Sequence, residues 1–363
     1  MAANSEPTPA FIESTLPEVP ELCSTDSSSA VARPAADIES RYTDHSVSEF
    51  IQTPAVMAHL NCARLESGTV HYCTAARIGF ALGSPIAEPD SLRSAAAEFD
   101  AHLAGRGMRS VYFGVEEMQA HRLAPGRRQV LIGSQPILTA AAWRGIKSRS
   151  SGLRAQIKRG MRGMRIIPIS SGKHPYAASM ANCLDAWLAT RPAPPMGFAA
   201  DARLSIHVRK FHRIYAAVDD TGDVQAYLCL SAVRGSGKYL AEHIIRRPHA
   251  PNGVIEALID HLFSHHVIGA EAQLSLGLVA LSERYLQTPH LNPRSFRFMR
   301  WLARSMGNRA YRFRSLEQFR RRLCPLPWSP VFLLADDDLA MPSLAVGLVW
   351  LFFRPVRRPR SAA

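Results

Sequence analysis

The residues whose types invite chemistry are concentrated between positions 242 and 256. Glu242 and His243 are adjacent titratable groups, Arg246 and Arg247 are adjacent cations, Asn252-Gly253 is a turn pair, and Glu256 follows. A carboxylate beside an imidazole can move a proton near neutral pH, and a second carboxylate can orient an ammonium group or act as a base itself. Two arginines just before a helix start supply charge for an anionic group, and the first N–H groups of that helix add the positive end of its dipole. At this turn the set suits an anionic ligand. The plain alternative is a capped surface helix with a dipole-favourable Glu256, and this stretch alone does not separate the two.

The elements that must position these groups are legible nearby. Tyr239 to Ile245 alternates in large residues and predicts a strand. Pro251-Asn252-Gly253 predicts a tight turn with Asn252 as helix N-cap. Val254, Ile255, Leu258, Ile259, Leu262 and Phe263 recur at helical spacing, with Glu256 at the edge of their apolar arc. Gly269 is the expected stop, and Leu274 to Leu281 the returning strand. A strand–turn–helix–strand unit favours a right-handed crossover between parallel neighbours.

The chain has 363 residues, enough for two domains with their own cores. Its 43 Lys and Arg against 30 Asp and Glu give a net charge of +13, which points to a polyanionic partner, nucleic acid or an anionic membrane surface. A basic protein without such a partner is the plain reading. The six cysteines are far apart and suit buried thiols in a reducing cytosol. No signal peptide and no run of ~18 to 20 apolar residues is apparent, so a cytoplasmic chain is expected, with membrane contact at most peripheral.

Residues 1–42, rich in Ser, Pro, Ala and Glu, read as a disordered leader. Residues 43–142 alternate strands and helices and form a first α/β domain. Residues 143–164 read as one basic amphipathic connecting helix carrying Lys158 and Arg159, and either phosphate or plain solvent can face its charge. Residues 165–336 form the second domain. Residues 337–363 are apolar and then basic, a docked terminal helix or an interfacial anchor.

Ala250-Pro251-Asn252-Gly253, Glu256, Leu276-Gly277 and Leu281-Ser282, with Arg246 upstream, resemble the signature of the catalytic domain of the aminoacyl-phosphatidylglycerol synthases of the multiple-peptide-resistance type. Lys158-Arg159, Asp185 with Trp187, Gly197-Phe198 and Trp328-Ser329-Pro330 extend the resemblance over roughly residues 45–335, and Arg314, Arg320 and Arg322 stand in a string where the family writes lysine. His243, with Glu242 before it, replaces the family's aspartate, and the following loop is shorter. The resemblance implies an α/β (α+β) fold of tandem Gcn5-related acyltransferase-like domains, mixed sheets flanked by helices. It implies an enzyme that takes an amino acid, serine among the candidates, from aminoacyl-tRNA. Glu256 then serves the aminoacyl ammonium group or acts as base, and His243 or Glu242 serves the acceptor. Arg246, Arg247, Asn252 and Gly253 take phosphates of the tRNA terminus, with Ser282 and Asp185 carried over from the motif. Arg314, Arg320, Arg322, Lys158 and Arg159 hold the acceptor stem.

Soluble members of this kind serve antibiotic pathways, as in seryl transfer to a hydroxylamine of the valanimycin type. A small hydroxyl, amine or hydroxylamine acceptor is therefore the leading expectation, and lysyl or alanyl transfer to phosphatidylglycerol the alternative. An acyl-CoA N-acyltransferase and a non-catalytic RNA-binding module are the other classes. No cofactor is expected, because the tRNA ester is already activated. No metal is expected either: His261, His265 and His266 lack a carboxylate at motif spacing. Gly235 to Lys238 lacks the upstream glycine of a phosphate loop, since position 232 is Ala232.

Overall fold

The computed structural model describes residues 49–57, 60–169, 174–191, 213–233, 237–282 and 313–353, with positions 198, 202, 292, 296, 297, 300 and 301 between them. The expected leader, most of the loop around Gly197-Phe198, an expected helix over 294–305 and the basic tail from Arg354 lie outside the described residues.

In chain order the described elements begin with α1 (Pro54–Met57), β1 (Asn61–Arg64), β2 (Thr69–Ala75), β3 (Ile78–Leu82), α2 (Leu92–Ala104), β4 (Arg109–Glu116), α3 (Glu117–Leu123) and β5 (Arg127–Gln135). There follow β6 (Ile137–Leu138), α4 (Ala140–Arg149), α5 (Ser151–Gly160), β7 (Met164–Ile169), α6 (Ala177–Ala189), β8 (Arg213–Asp219) and β9 (Val224–Val233). The last are β10 (Lys238–Arg246), α7 (Val254–Ser264), β11 (Gln273–Ser275), β12 (Val279–Ala280), α8 (Phe313–Leu323), β13 (Ser329–Asp336) and α9 (Met341–Phe353).

The strands make two mixed sheets, in the orders β1-β2-β3-β4-β13-β5-β12 and β6-β11-β10-β9-β8-β7. Each sheet holds one parallel pair joined through a helix, β3–α2–β4 in the first and β10–α7–β11 in the second. This repeated unit is the tandem acyltransferase-like fold that the sequence led us to expect. The sheets do not divide the chain at the basic helix, however. β13 inserts between β4 and β5, and β12 pairs with β5, so two late strands complete the early sheet. β6 crosses the other way, to pair with β11. The continuous apolar run of β13 is what a strand buried on both faces requires, and its six middle residues are buried.

Four local expectations are corrected. The basic segment is two helices, because Ser150 turns extended (φ −113°, ψ 99°) and its Oγ accepts from Leu153 N–H at 3.1 Å, capping α5. Arg154 then donates to the Lys147 and Ser148 carbonyls at 2.8 and 2.6 Å, capping the end of α4. The N-cap of α7 is Gly253 at φ +99°, not Asn252. That helix ends before Gly269: His266 takes the left-handed turn and Val267 N–H donates to the Leu262 carbonyl at 3.0 Å, a Schellman closure. Finally, Leu274 to Leu281 is not one strand. Gly277, at φ +83°, breaks it into β11 and β12, which belong to different sheets.

Two contacts fix how the layers meet. α5 and α7 approach glycine to glycine, where a Cβ on Gly160 would overlap the Gly253 backbone and one on Gly253 would overlap the Gln156 carbonyl. At the other seam Glu49 is buried, and its carboxylate accepts from the Ser84 and Glu116 amides. Glu116, at the end of β4, also accepts from Lys238 Nζ at 3.0 Å, which ties the first sheet to the start of β10. Burial, followed by the nearby Glu116 carboxylate, pushes the Glu49 carboxyl up to about 8 against the pull of its amide donors.

Gly160→Ala is expected to lower stability by about 1–3 kcal/mol through overpacking, whereas Gly152→Ala, which meets nothing nearby, is neutral or slightly stabilising. Urea midpoints of the two variants test this, and equal shifts would disprove the contact. Glu49 keeps a proton in the folded state that the unfolded chain releases, so it makes stability fall as pH rises through the interval ending near 8. Glu49→Gln should flatten that fall between pH about 5 and about 8 in thermal unfolding. Parallel curves for the variant and the unaltered protein would refute the raised carboxyl.

Candidate active site

The ladder between β10 and β11 is short. Lys238, Tyr239 and Leu240 pair with Gln273, Leu274 and Ser275, and after Ser275 the chain leaves for the other sheet. Among the described residues nothing pairs in a ladder with this edge of β10 beyond Leu240. The two strands therefore splay after Leu240, with Ala241 to Arg246 on one side and Leu276 to Ser282 on the other.

A β-bulge lies where the strands part. Ala241 faces Leu230 and His243 faces Cys229 across the sheet, so Glu242 is the extra residue. Ala241 and Ile244 consequently pack in the same core cluster, under α7, while Ile245 packs with the α6 residues Met180, Cys183 and Leu184. The bulge thus turns Glu242 and His243 together toward the α6 side, where regular alternation would part them. Both side chains are buried, 3% and 6% exposed, with Glu242 Oε1 3.6 Å from His243 Nε2. Glu242 Oε2 accepts from Ser231 Oγ at 2.5 Å. Burial, and then Glu242, holds the neighbouring Cys229 thiol well above its ordinary range. At that distance the two groups are not hydrogen-bonded to each other, and an imidazole close to a carboxylate that a hydroxyl holds can serve to take a proton from a nucleophile.

Glu256 lies in the first turn of α7, 8% exposed, on the side of Asp260 one turn later. Asp260 accepts from Trp143 Nε1 at 2.9 Å and from Lys147 Nζ at 2.7 Å, so α7 is anchored to α4 along this side. Glu256 and the Glu242–His243 pair therefore stand on opposite faces of the second sheet.

The cations sort into two groups. Arg246 donates to Asn252 Oδ1 at 3.3 Å beside the α7 tip, and the exposed Lys158 and Arg159 flank Gly160 where it meets Gly253. Those four residues are brought together. Arg247 points elsewhere: it donates to the Val224 carbonyl at 2.8 Å and lies near Asp223, tying the β8–β9 turn to the loop after β10. Arg320 is also committed, donating to the Gly277 and Leu278 carbonyls at 2.7 and 2.9 Å where β11 breaks into β12. Arg314 and Arg322 are exposed on α8, and Asp185 is exposed on α6. Ser282 is buried at the far end of the splay, its N–H on the Val279 carbonyl at 3.2 Å. Sequence reasoning missed Ser231, whose role appears only through a cross-strand register that the bulge shifts. It also missed Glu49, Glu116 and Lys238, which lie far apart in the chain.

The sequence matches the profile described as phosphatidylglycerol lysyltransferase, C-terminal, over residues 36–335. The chain belongs to this family. It is accordingly an enzyme of the aminoacyltransferase class. The fold is similar to L-PGS from Bacillus licheniformis, with a TM-score of 0.67 and 16% identity over 88% of this chain and 95% of that one. It is equally similar to the C-terminal, DUF2156-type domain of a proposed lysylphosphatidylglycerol synthetase from Agrobacterium fabrum, with a TM-score of 0.68 and 16% identity over 85% and 95% of the two chains. A conserved protein of unknown function from Bacteroides thetaiotaomicron follows at a TM-score of 0.52 and 11% identity, over 84% and 98%. A search of curated proteins finds no match.

Replacement of His243 by Gln should lower kcat by about 10²- to 10⁴-fold with little change in substrate affinity. Ser231→Ala, which loosens Glu242, should cost less and shift the pH profile of kcat. An unaltered profile in both variants would remove this pair from the reaction.

Proposed function

We propose that this chain moves an aminoacyl group, lysyl or alanyl, from aminoacyl-tRNA to a glycerol hydroxyl of phosphatidylglycerol. The observation that carries this reading is the family match across residues 36–335. It favours a lipid acceptor over the small soluble acceptor that the altered residue at His243 had suggested, and over an acyl-CoA donor. Seryl transfer in an antibiotic pathway has no separate observation in its favour.

In this reading the lipid hydroxyl attacks the carbonyl carbon of the tRNA ester. A new C–O bond forms, the ester C–O bond to the terminal ribose breaks, and the ribose oxygen leaves with a proton. His243, with the Glu242 carboxylate close by, takes the proton from the attacking hydroxyl and can return it to the leaving oxygen. Glu256, across the splay, holds the ammonium group of the amino acid. Lys158, Arg159 and Arg246 beside the α7 tip take the terminal phosphates, and the exposed Arg314 and Arg322 extend the cationic surface. Holding both substrates in line supplies much of the acceleration, since the donor arrives activated.

Radiolabelled lysyl- and alanyl-tRNA, incubated with the protein and phosphatidylglycerol in detergent micelles, should carry label into the lipid phase. Charged tRNA should also bind more weakly by roughly two to three orders of magnitude between about 50 and about 200 mM salt. Label found only on small amines or hydroxylamines, or consumption of a thioester donor in its place, would sink the reading.

A further inference from the structure

On the first sheet a cavity of about 320 Å³ opens between α2, the end of α3 and the adjoining ends of β5 and β13. Arg93, Arg122 and Arg127 line it, together with Asp100 and Asp336. It lies apart from the candidate active site. β5 runs nine residues from Arg127 at the cavity to Gln135, roughly 27 Å, and β12 joins it only near that far end.

Donors and acceptors are unevenly used around this cavity. Asp100 is engaged within the fold: Oδ1 accepts from the Ser110 and Tyr112 hydroxyls at 2.6 and 2.7 Å, and Oδ2 accepts from Arg127 Nη2. Asp336 accepts from Arg109 Nε at 3.1 Å. Arg127 is held too, 4.9 Å from the centre of the Tyr112 ring and with Nη1 on the Leu123 carbonyl at 3.2 Å. Arg93 and Arg122 are tied by one edge only. Arg93 Nε donates to the Arg122 carbonyl at 2.8 Å, and Arg122 Nη1 lies 3.5 Å from the Pro89 carbonyl. Among the described residues no other group takes their remaining N–H groups. A guanidinium donates and never accepts, so the capacity left over at the cavity belongs to donors alone.

We propose that this cavity is a second binding site, for a phosphomonoester. The phosphate sits between Arg93 and Arg122, and the organic part lies against Ala97, Leu123 and Pro125. A phosphomonoester brings about −1.5 to −2 charge at pH 7 and three acceptor oxygens, which suit two guanidinium forks. A monocarboxylate brings less of both. Small-molecule sites run from about 300 to about 1,000 Å³, so this cavity has space beyond a bare inorganic anion. The same phosphate chemistry occurs on soluble molecules and on lipid headgroups. The site is separate from the transfer reaction and does not depend on it.

Calorimetric titration of the full-length protein with glycerol 3-phosphate, dihexanoyl phosphatidic acid and lactate tests this. At least one phosphate probe should bind, with lactate about tenfold weaker or more. The tighter phosphate probe identifies the source, soluble or lipid. The double variant Arg93→Gln, Arg122→Gln should weaken that probe about tenfold or more. Ala97→Phe keeps every charge and fills the cavity from an exposed position, and it should weaken the probe as much. The double variant Lys158→Gln, Arg159→Gln, beside the α7 tip, should bind like the unaltered protein. The proposal is overturned if neither phosphate probe binds, if lactate binds equally well, or if either cavity variant binds like the unaltered protein. It is equally overturned if the Lys158 and Arg159 variant is the one that loses binding, which would put the phosphate at the candidate active site.

Discussion

Everything around the site depends on where the chain goes after Ser275. It leaves the second sheet at Gly277 and joins the first as β12, so β10 loses its parallel neighbour after three residues. Backbone groups deprived of a ladder must find other partners. On the departing side Arg320 Nη1 donates to two carbonyls at once, those of Gly277 and Leu278. On the β10 side the edge from Ala241 to Arg246 is left for something other than a strand. A strand exchange between two sheets thus sets the point where β10 and β11 part.

The bulge at Glu242 follows from the same break in regularity. A strand paired on both edges resists an extra residue, while one with a freed edge accommodates it. The result is that two titratable side chains point the same way into a buried space beneath α6. Isolated charges in such a place cost several kcal/mol each. Here the Ser231 hydroxyl and the mutual contact offset part of that cost. The arrangement is costly for a purely structural feature and well suited to proton transfer.

Local periodicity made most of the elements readable. β10 and the start of α7 lie close to where alternation and helical spacing placed them. The fold class came from motifs quoted residue by residue, not from periodicity. What the sequence concealed was non-local. The insertion of β13 between β4 and β5 joins residues about two hundred positions apart, and no local pattern encodes a partner at that distance. The bulge shifts the facing of Glu242 and His243 by one residue, so a regular strand would have set them on opposite sides. Ser150 was concealed for a different reason, because a serine among basic residues reads equally well as exposed helix or as a cap.

The positive charge of this chain is also less uniform than its total suggests. Lys147 is engaged by Asp260, Arg154 by the end of α4, Arg247 by the β8–β9 turn, and Arg320 by the broken strand. Each of these cations satisfies carbonyls or a carboxylate that folding would otherwise leave without partners, so its charge serves the architecture. Lys158, Arg159 and Arg322 are exposed, and Arg246 reaches the α7 tip through Asn252. A polyanion approaching the protein therefore meets a surface patterned by which arginines the fold has already engaged. Removing an engaged cation takes a partner from those groups, whereas removing Lys158, Arg159 or Arg322 changes the surface charge that salt screens.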